Sequence, residues 1–412
     1  QPQSATVHNW MSAAGSPLDW AERFAQQAES CAGLGSPLYE RLLSLLAIEV
    51  AETGPTWAVI APRSELRFGQ AGPLRLLGAA HRLALSGAAP SWARVLPSCG
   101  GQVPITDGEL LSVWAELVRT HSHELSAGLD CEVQTNEVAR SAGLALGLAS
   151  TGFSSARLVE LGCSAGLNLR LDQFCIDLAS TADSEGVSGS SRLLGDPAST
   201  VRLSPELRTA APHPLAQLPR ITERIGIDPH PLDATTEQGE LRLLGFVWPD
   251  QLERIERCKA AIEIASRVPA LLMQSALMQS ALMQSALMQS ADSLGPGGLE
   301  QTATRPVVAL PDTAELLESL LADNQPTVIQ QSIVWQYIPP EVRWRITAVI
   351  EAAGRRATPE SPLAWVRFEP DEWDRQRAAV WLRTWPTGTD YLVAQVDYHG
   401  RWIAPSQAIS TR

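Results

Sequence analysis

The chain has 412 residues, 45% of them hydrophobic and 19% charged, and a net charge of −13. That length exceeds one ordinary core and predicts two or three domains of globular composition, not a disordered or fibrous chain. No apolar run approaches the ~18 residues of a spanning helix, and an acidic chain without a cationic cluster lacks what displaces counterions from phosphates, so neither a membrane nor nucleic acid is expected as a partner.

Residues 1–130 read as mostly helical and are taken as an N-terminal domain. Ser36-Pro37 supplies a cap and a proline at the first helical position. Leu38, Leu42, Leu45, Leu46 and Ala47 then fall on one helix face. A second helix is predicted from about Pro73 to Ser86, stopped by Gly87. Asp107 is expected to cap a third, with Leu110, Leu111, Trp114, Leu117 and Val118 on its apolar side. A fourth is predicted to begin near Glu132 and to carry Asn136, Glu137 and Arg140. His81, amid an apolar helix, reads as a hydrogen-bonded core histidine. His121 and His123 are two apart, and such positions diverge on a helix, so no metal pair is expected there.

The pattern changes at Arg157. Short apolar runs (Arg157–Leu161, Ile225–Ile227, Ala270–Met273, Thr327–Val334, Leu363–Phe368) alternate with helical stretches, which predicts parallel strands with crossover helices over 131–412. Val380–Trp385 and Tyr391–Tyr398, separated by Pro386-Thr387-Gly388-Thr389-Asp390, predict an antiparallel hairpin at the end. Residues 181–191 are polar and read as a loop. The six cysteines form no CxxC pair, and no basic-then-apolar signal segment opens the chain, so reduced thiols in the cytoplasm are expected.

Leu-Met-Gln-Ser-Ala occurs four times between Leu272 and Ala291. A five-residue step winds its leucines around a helix and sends them to alternate faces of a strand, so neither element gains a clean buried side. The repeat reads as an insertion produced by duplication; the alternative is a partner-binding helix.

The motif with most chemistry in it is Glu160-Leu161-Gly162-Cys163-Ser164-Ala165-Gly166-Leu167-Asn168-Leu169. An apolar run ends in an acid, a small-residue turn follows, and a helix is expected next. Gly162 and Gly166 carry no side chain, so a ligand can approach the backbone, and a helix start offers free N–H groups. Gly162-Cys163-Ser164-Ala165-Gly166 also spells G-x-S-x-G, the nucleophile elbow of α/β-hydrolases, with Ser164 as nucleophile and His399 late enough in the chain to serve as base. Against that stand the acid two residues before the first glycine and the place of His399 beside the last β run.

Several segments together resemble an uncharacterised bacterial family, domain of unknown function 2332. They are Ser36-Pro37-Leu38-Tyr39, Gln134–Arg140, Glu160–Leu169, Gly195-Asp196-Pro197, Gly226–Asp233, Val247-Trp248-Pro249, Ser332–Tyr337 and Tyr398-His399-Gly400-Arg401-Trp402, in that order. The resemblance implies an α/β fold: a Rossmann-like sheet similar to that of class I methyltransferases, parallel with a C-terminal antiparallel hairpin, plus the helical N-terminal domain as a cap. In such a sheet S-adenosylmethionine is held by the first strand's turn. Glu160, Gly162, Ser164, Gly166 and Asn168 are then its expected partners, with Asp228, or the neighbouring Asp233, on the ribose. With three repeat copies removed, Asp292 falls where an acid near the adenine is expected. Ser332 and Tyr337 are expected against the methyl acceptor with Trp335 excluding water; the alternative is that the two aromatics only pack. Glu137 and Arg140 form either a polar wall of the acceptor pocket or a salt bridge between domains.

The expected function is methyl transfer to a small-molecule or lipid-like acceptor, a reaction that depends on alignment and water exclusion more than on acid–base groups. Two alternatives stay open: a serine hydrolase using Ser164, and a catalytically idle binding module on the same fold.

Overall fold

A computed structural model of the chain describes residues 15–66, 70–178, 193–209, 217–275 and 311–406. It divides into two units: Gln1–Thr135 with Thr236–Lys259, and Asn136–Thr235 with Ala260–Arg412.

The first unit is helical. Its helices span Pro17–Gly33, Pro37–Ala51, Pro55–Ile60, Gly72–Leu85, Pro90–Ala93, Asp107–Gly128 and Glu237–Gly245, and it takes in the start of Leu252–Arg267. Ser36 caps the second as expected, its Oγ accepting from Tyr39 N. The cap of the long helix is Thr106, not Asp107: a reciprocal capping box joins Thr106 and Glu109, and Asp107 is the first helical residue. Trp20, Phe24, Leu42, Leu46, Leu76, Trp92 and Trp114 fill the core. His81 is buried there with Nε2 2.8 Å from Ser98 Oγ.

The sequence division near residue 130 does not place 236–259, which the structure returns to the helical unit. Asp250 explains why. Its carboxylate accepts from Ser36 Oγ (2.7 Å) and Leu38 N (3.0 Å), fastening the helix start 212 residues away. Trp248 packs on Tyr39 with ring centroids 6.2 Å apart. Among the described residues no single helix is long and apolar enough to cross a membrane.

The second unit is built on a large, mostly parallel sheet. Its strands are β1 (Ser155–Leu161), β5 (Glu206–Leu207), β6 (Arg220–Asp228), β7 (Leu271–Gln274), β8 (Thr327–Ser332), β9 (Leu363–Pro370), β10 (Ala378–Trp385), β11 (Thr389–Val396) and β12 (Trp402–Pro405), in the order β5-β12-β11-β10-β9-β8-β1-β6-β7. From β7 to β9 every pairing is parallel. The expected hairpin is present as β10–β11 and continues antiparallel into β12. A small second sheet joins β2 (Cys175–Asp177), β3 (Leu193–Gly195) and β4 (Arg202–Leu203).

Both faces of the sheet are covered. Helices Thr313–Leu320 and Pro340–Gly354 pack their apolar sides on Val159, Ile329 and Trp365. The wholly buried helix Ser141–Ala149 lies on the other face, where a Cβ at Gly147 would come within 2.6 Å of Val366. Val366 and Trp365 are consecutive and therefore point to opposite faces.

From β1 the chain crosses to β6 and β7 on one side and to β8 and β9 on the other. The order therefore reverses between β1 and β8. At such a switch point the connections leave in opposite directions and a crevice opens beyond the carboxyl ends of the strands.

Of the repeat, only Leu272–Ser275 falls among the described residues, and it forms most of β7. Leu272 and Met273 go to opposite faces, Met273 packing against the Val159–Ile329 cluster. Ser275 Oγ donates to the Pro311 carbonyl (2.8 Å) and meets Thr313 Oγ1 (2.6 Å). Ser275 is thus a hydrogen-bonded neighbour of Pro311 and Thr313. The polar run 181–191 and Asp292 lie outside the described residues.

Candidate functional site

The carboxyl ends of β1, β8, β9 and β6 carry an unusual density of buried polar side chains. On β1, Glu160 is 1% exposed, and in the parallel register it stands beside Gln330 of β8. Burial pushes its carboxyl up to about 8; a hydrogen bond from Gln330 and the Arg170 charge act in the opposite direction. Glu160 is thus mostly protonated at neutral pH. Its Oε2, Gln330 Oε1 and Ser164 Oγ are all buried without a hydrogen-bond partner. Buried polar atoms left unpaired cost free energy, which a ligand or water that pairs them recovers.

The turn after β1 is tightly bound. Gly162, Ser164 and Gly166 have φ of +69°, +51° and +65°. Ser164 N donates to Asp228 Oδ2 (2.8 Å), and His230 N donates to Asp228 Oδ1 (2.8 Å), so the acid at the end of β6 clamps the turn. A Cβ at Gly162 would lie 2.4 Å from Val334 Cγ2, and one at Gly166 would lie 2.9 Å from Leu272 Cδ2. The space freed by these glycines is filled by the protein's own side chains. No α-helix follows. Leu167–Gln173 is a 3₁₀ segment broken at Arg170, whose guanidinium donates to the Gly166 carbonyl (2.6 Å) and the Val268 carbonyl (2.9 Å). Arg170 thus consumes carbonyls of the turn and holds the segment away from α geometry.

On the opposite face of the same strand ends, Glu369 of β9 accepts at Oε1 from Gln331 Nε2 (2.9 Å), Val334 N (3.2 Å) and Trp335 N (3.1 Å), while Oε2 is buried and unpaired. Burial raises its carboxyl above the usual range against those hydrogen bonds. Between β8 and Trp335 the chain turns at Ile333, with φ of +51°. A left-handed β-branched residue is strained, and such strain gathers at functional sites.

A third group comes from the start of the unit. Asn136 Oδ1 accepts from Leu167 N (2.8 Å), fastening this segment to the glycine turn. Glu137 Oε1 accepts from Ala139 N (3.3 Å), and its Oε2 lies 3.4 Å from His399 Nδ1. Arg140 Nε donates to the Tyr398 carbonyl (3.0 Å). Gly400 lets the turn after β11 come close, since a Cβ there would lie 2.4 Å from the Ala139 carbonyl oxygen. Segments some 260 residues apart in the chain, each part of the resemblance above, therefore dock on one another.

The profile of an uncharacterised protein family conserved in bacteria, DUF2332, matches residues 21–294 and 299–404. The chain belongs to the DUF2332 family. No curated protein and no solved structure matches it.

In this DUF2332 chain, Glu160, Ser164, Asn168 and Asp228 come together around the β1 turn. Asn168 is buried, its Oδ1 accepting from Ser141 Oγ (2.9 Å). Ser332 ends β8 and is buried, whereas Tyr337 is 57% exposed and stands apart from the buried groups. Trp335 packs edge-on against Trp365 at 5.5 Å. The segment before Ser141 is not the predicted α-helix: Glu137 caps a single 3₁₀ turn, Val138–Arg140, and the α-helix starts only at Ser141. Gln330, Gln331, Glu369 and Arg170 were missed. The one available signal was a polar pair, Gln330-Gln331, inside an otherwise apolar strand.

A small recess of about 20 Å³, lined by Arg157, Asn324, Thr327 and Leu363 among others, lies at the amino ends of β1, β8 and β9. Arg157, its one charged group, is already held by Asp323 at 3.0 Å. The polar cluster at the carboxyl ends is the candidate site.

Proposed function

We propose that this protein is an S-adenosylmethionine-dependent methyltransferase acting on a small-molecule acceptor, and that its sheet is of the class I methyltransferase kind. The supporting observation is the gathering of unpaired buried polar atoms, Glu160 Oε2, Ser164 Oγ and Gln330 Oε1, at the carboxyl end of the switch point between β1 and β8. They suit a ligand that carries an ammonium group, hydroxyls and a positive sulfur. Glu160 and Gln330 would hold its cationic end. Ser164 would take a hydroxyl or carboxylate, and Asp228, the acid at the end of β6, would face the ribose hydroxyls. When bound, the sulfonium supplies an electrophilic methyl group. The chain's own contribution is to align and to exclude water, which burial of these groups favours. No disulfide joins the cysteines Cys31, Cys99, Cys131, Cys163, Cys175 and Cys258, which fits the expected action in the reducing cytoplasm.

Calorimetric titration of S-adenosylmethionine and S-adenosylhomocysteine into the full chain tests the reading. Saturable micromolar binding is expected, with release of about one proton per site at neutral pH as Glu160 ionises. Both the proton release and most of the affinity are expected to vanish in Glu160→Gln. Absence of binding at millimolar ligand to folded protein removes the reading.

A serine hydrolase keeps one observation in its favour, the left-handed Ser164 in the strand-following turn. Its Oγ is buried and has no partner, so the nucleophile–base hydrogen bond is not made. Labelling of Ser164 by a fluorophosphonate would select that alternative.

A further inference from the structure

We propose that Glu137 and His399 form a proton-accepting pair beside the glycine turn, with His399 Nε2 as the atom that takes the acceptor's proton; the assignment of that proton to a methyl acceptor rests on the reading above. The pair is placed by one short segment. Asn136 is fastened to Leu167 of the turn, and the next residue, Glu137, meets His399 Nδ1 at 3.4 Å.

The ring is held at Nδ1 by Glu137, and the main chain that carries it is fixed as well. His399 N donates to Asp397 Oδ1 (2.9 Å), and Asp397 is itself held by Arg401 Nη2 at 2.8 Å. Burial pushes the Asp397 carboxyl up, but its hydrogen bonds from Arg401 and His399 outweigh this and hold it below the usual range. The Glu137 side chain is 4% exposed and that of His399 20%. The carboxyl is therefore buried and the imidazole partly exposed. Nε2 makes no hydrogen bond among the described residues. A carboxyl that holds one ring nitrogen fixes the tautomer and leaves the lone pair of the other nitrogen as an acceptor.

A mere latch between the two segments does not account for this arrangement. Arg140 Nε on the Tyr398 carbonyl and the close approach of Gly400 to Ala139 already tie them together. The Glu137–His399 contact adds an orientation to the ring.

The step balances as follows. A hydroxyl or amine of the acceptor bonds to the methyl carbon while the donor's carbon–sulfur bond breaks, its electron pair staying on sulfur. The acceptor's proton passes to Nε2, and the imidazolium, next to Glu137, later releases it to solvent. The acceptor class is thus a small molecule whose nucleophile carries a proton. His399 is the catalytic residue in this scheme and Glu137 the positioning residue.

The test is nitrogen NMR of the full chain labelled at histidine, with the His399 signals assigned by their loss in His399→Asn. In the neutral ring the proton is expected on Nδ1, with an excess of about tenfold or more over the other tautomer, as a hydrogen bond to a carboxyl imposes. Glu137→Gln, which keeps the size and the Oε1 cap, is expected to abolish that excess; Glu137→Asp serves if the first variant does not fold. A wild-type ring protonated on Nε2, or an excess unchanged in the variants, overturns the proposal. S-adenosylhomocysteine titrated into the same samples separates the two ideas: no binding with the expected tautomer removes the methyl-transfer reading and leaves the pair standing.

Discussion

Glu160 offers a test of the buried site that needs no ligand. Its carboxyl ordinarily ionises near 4.5, and burial in the folded chain moves this to about 8. Below the lower value the group is protonated in both states and contributes nothing to the pH dependence. Between the two, the unfolded chain gives up the proton and the folded chain keeps it. Stability then falls by about 1.4 kcal/mol per pH unit, reaching a loss of about 5 kcal/mol above the upper value. Glu160→Gln keeps the shape and a hydrogen-bonding group but cannot ionise. Urea unfolding of wild type and variant from about pH 5 to about pH 9 isolates the contribution, because Glu369 and every other group titrate in both proteins. The variant is expected to gain on the wild type up to about pH 8 and then level off, by about 4 kcal/mol across the range. Two stability curves that run parallel would refute the reasoning, since they would mean that Glu160 is ionised and paired in the folded chain.

Gly162→Ala meets both a left-handed backbone and Val334 Cγ2 at 2.4 Å, with expected losses of about 1–2 kcal/mol for the first and about 1–3 kcal/mol for the second. Adding Val334→Ala removes the Cγ contacts and leaves Cβ at 2.8 Å, so it relieves part of the steric cost, a double-mutant cycle should show coupling, and strict additivity would contradict the packing. Deleting residues 277–291 shortens the stretch between Ser275 and Pro311 from about 35 residues to about 20, a change in closure entropy of only about 0.5 kcal/mol. Thermal unfolding should barely move, and a loss above about 2 kcal/mol would show that the extra copies support the fold. In the helical unit, burial holds the His81 imidazole down at about 4 against an ordinary 6.5, with backbone hydrogen bonds at Gly245 and Val247 opposing. As pH falls through that window only the unfolded chain gains the proton, so about 3 kcal/mol is lost. His81→Gln should flatten that acid limb, and a persisting slope would place the loss elsewhere.

Much of the fold was legible because its signals are local. The apolar runs at Arg157–Leu161, Thr327–Val334 and Leu363–Phe368 are strands in the structure, and β8 ends two residues early only because Ile333 turns left-handed. Ser36-Pro37 and the hairpin turn at Pro386–Gly388 act over a few residues, so propensity and capping decide them without help from the rest of the chain. The family was legible for another reason: its segments recur in order along most of the chain.

The site was legible in part. The acid before a glycine turn marked Glu160 and Ser164, but not what surrounds them. Gln330 and Glu369 sit on strands whose sequence position says nothing of which neighbour they will face; that follows from sheet order. The predicted helix at Glu132–Arg140 failed because Glu137 spends its carboxyl on Ala139 N and His399, a contact spanning 262 residues.

The sequence by itself determined several of the helices and the strands β1, β8 and β9, the sharp turn after β1 and the membership of a family. Those rest on periodicity and backbone sterics, which act within a few residues. Only the tertiary structure decided that 236–259 belongs with the helical unit, that Glu160 is buried and holds its proton, and that Asn136 and Glu137 tie the glycine turn to His399. Each of these depends on desolvation or on a hydrogen bond between residues far apart in the chain, and both exist only once packing has removed water and set the neighbours.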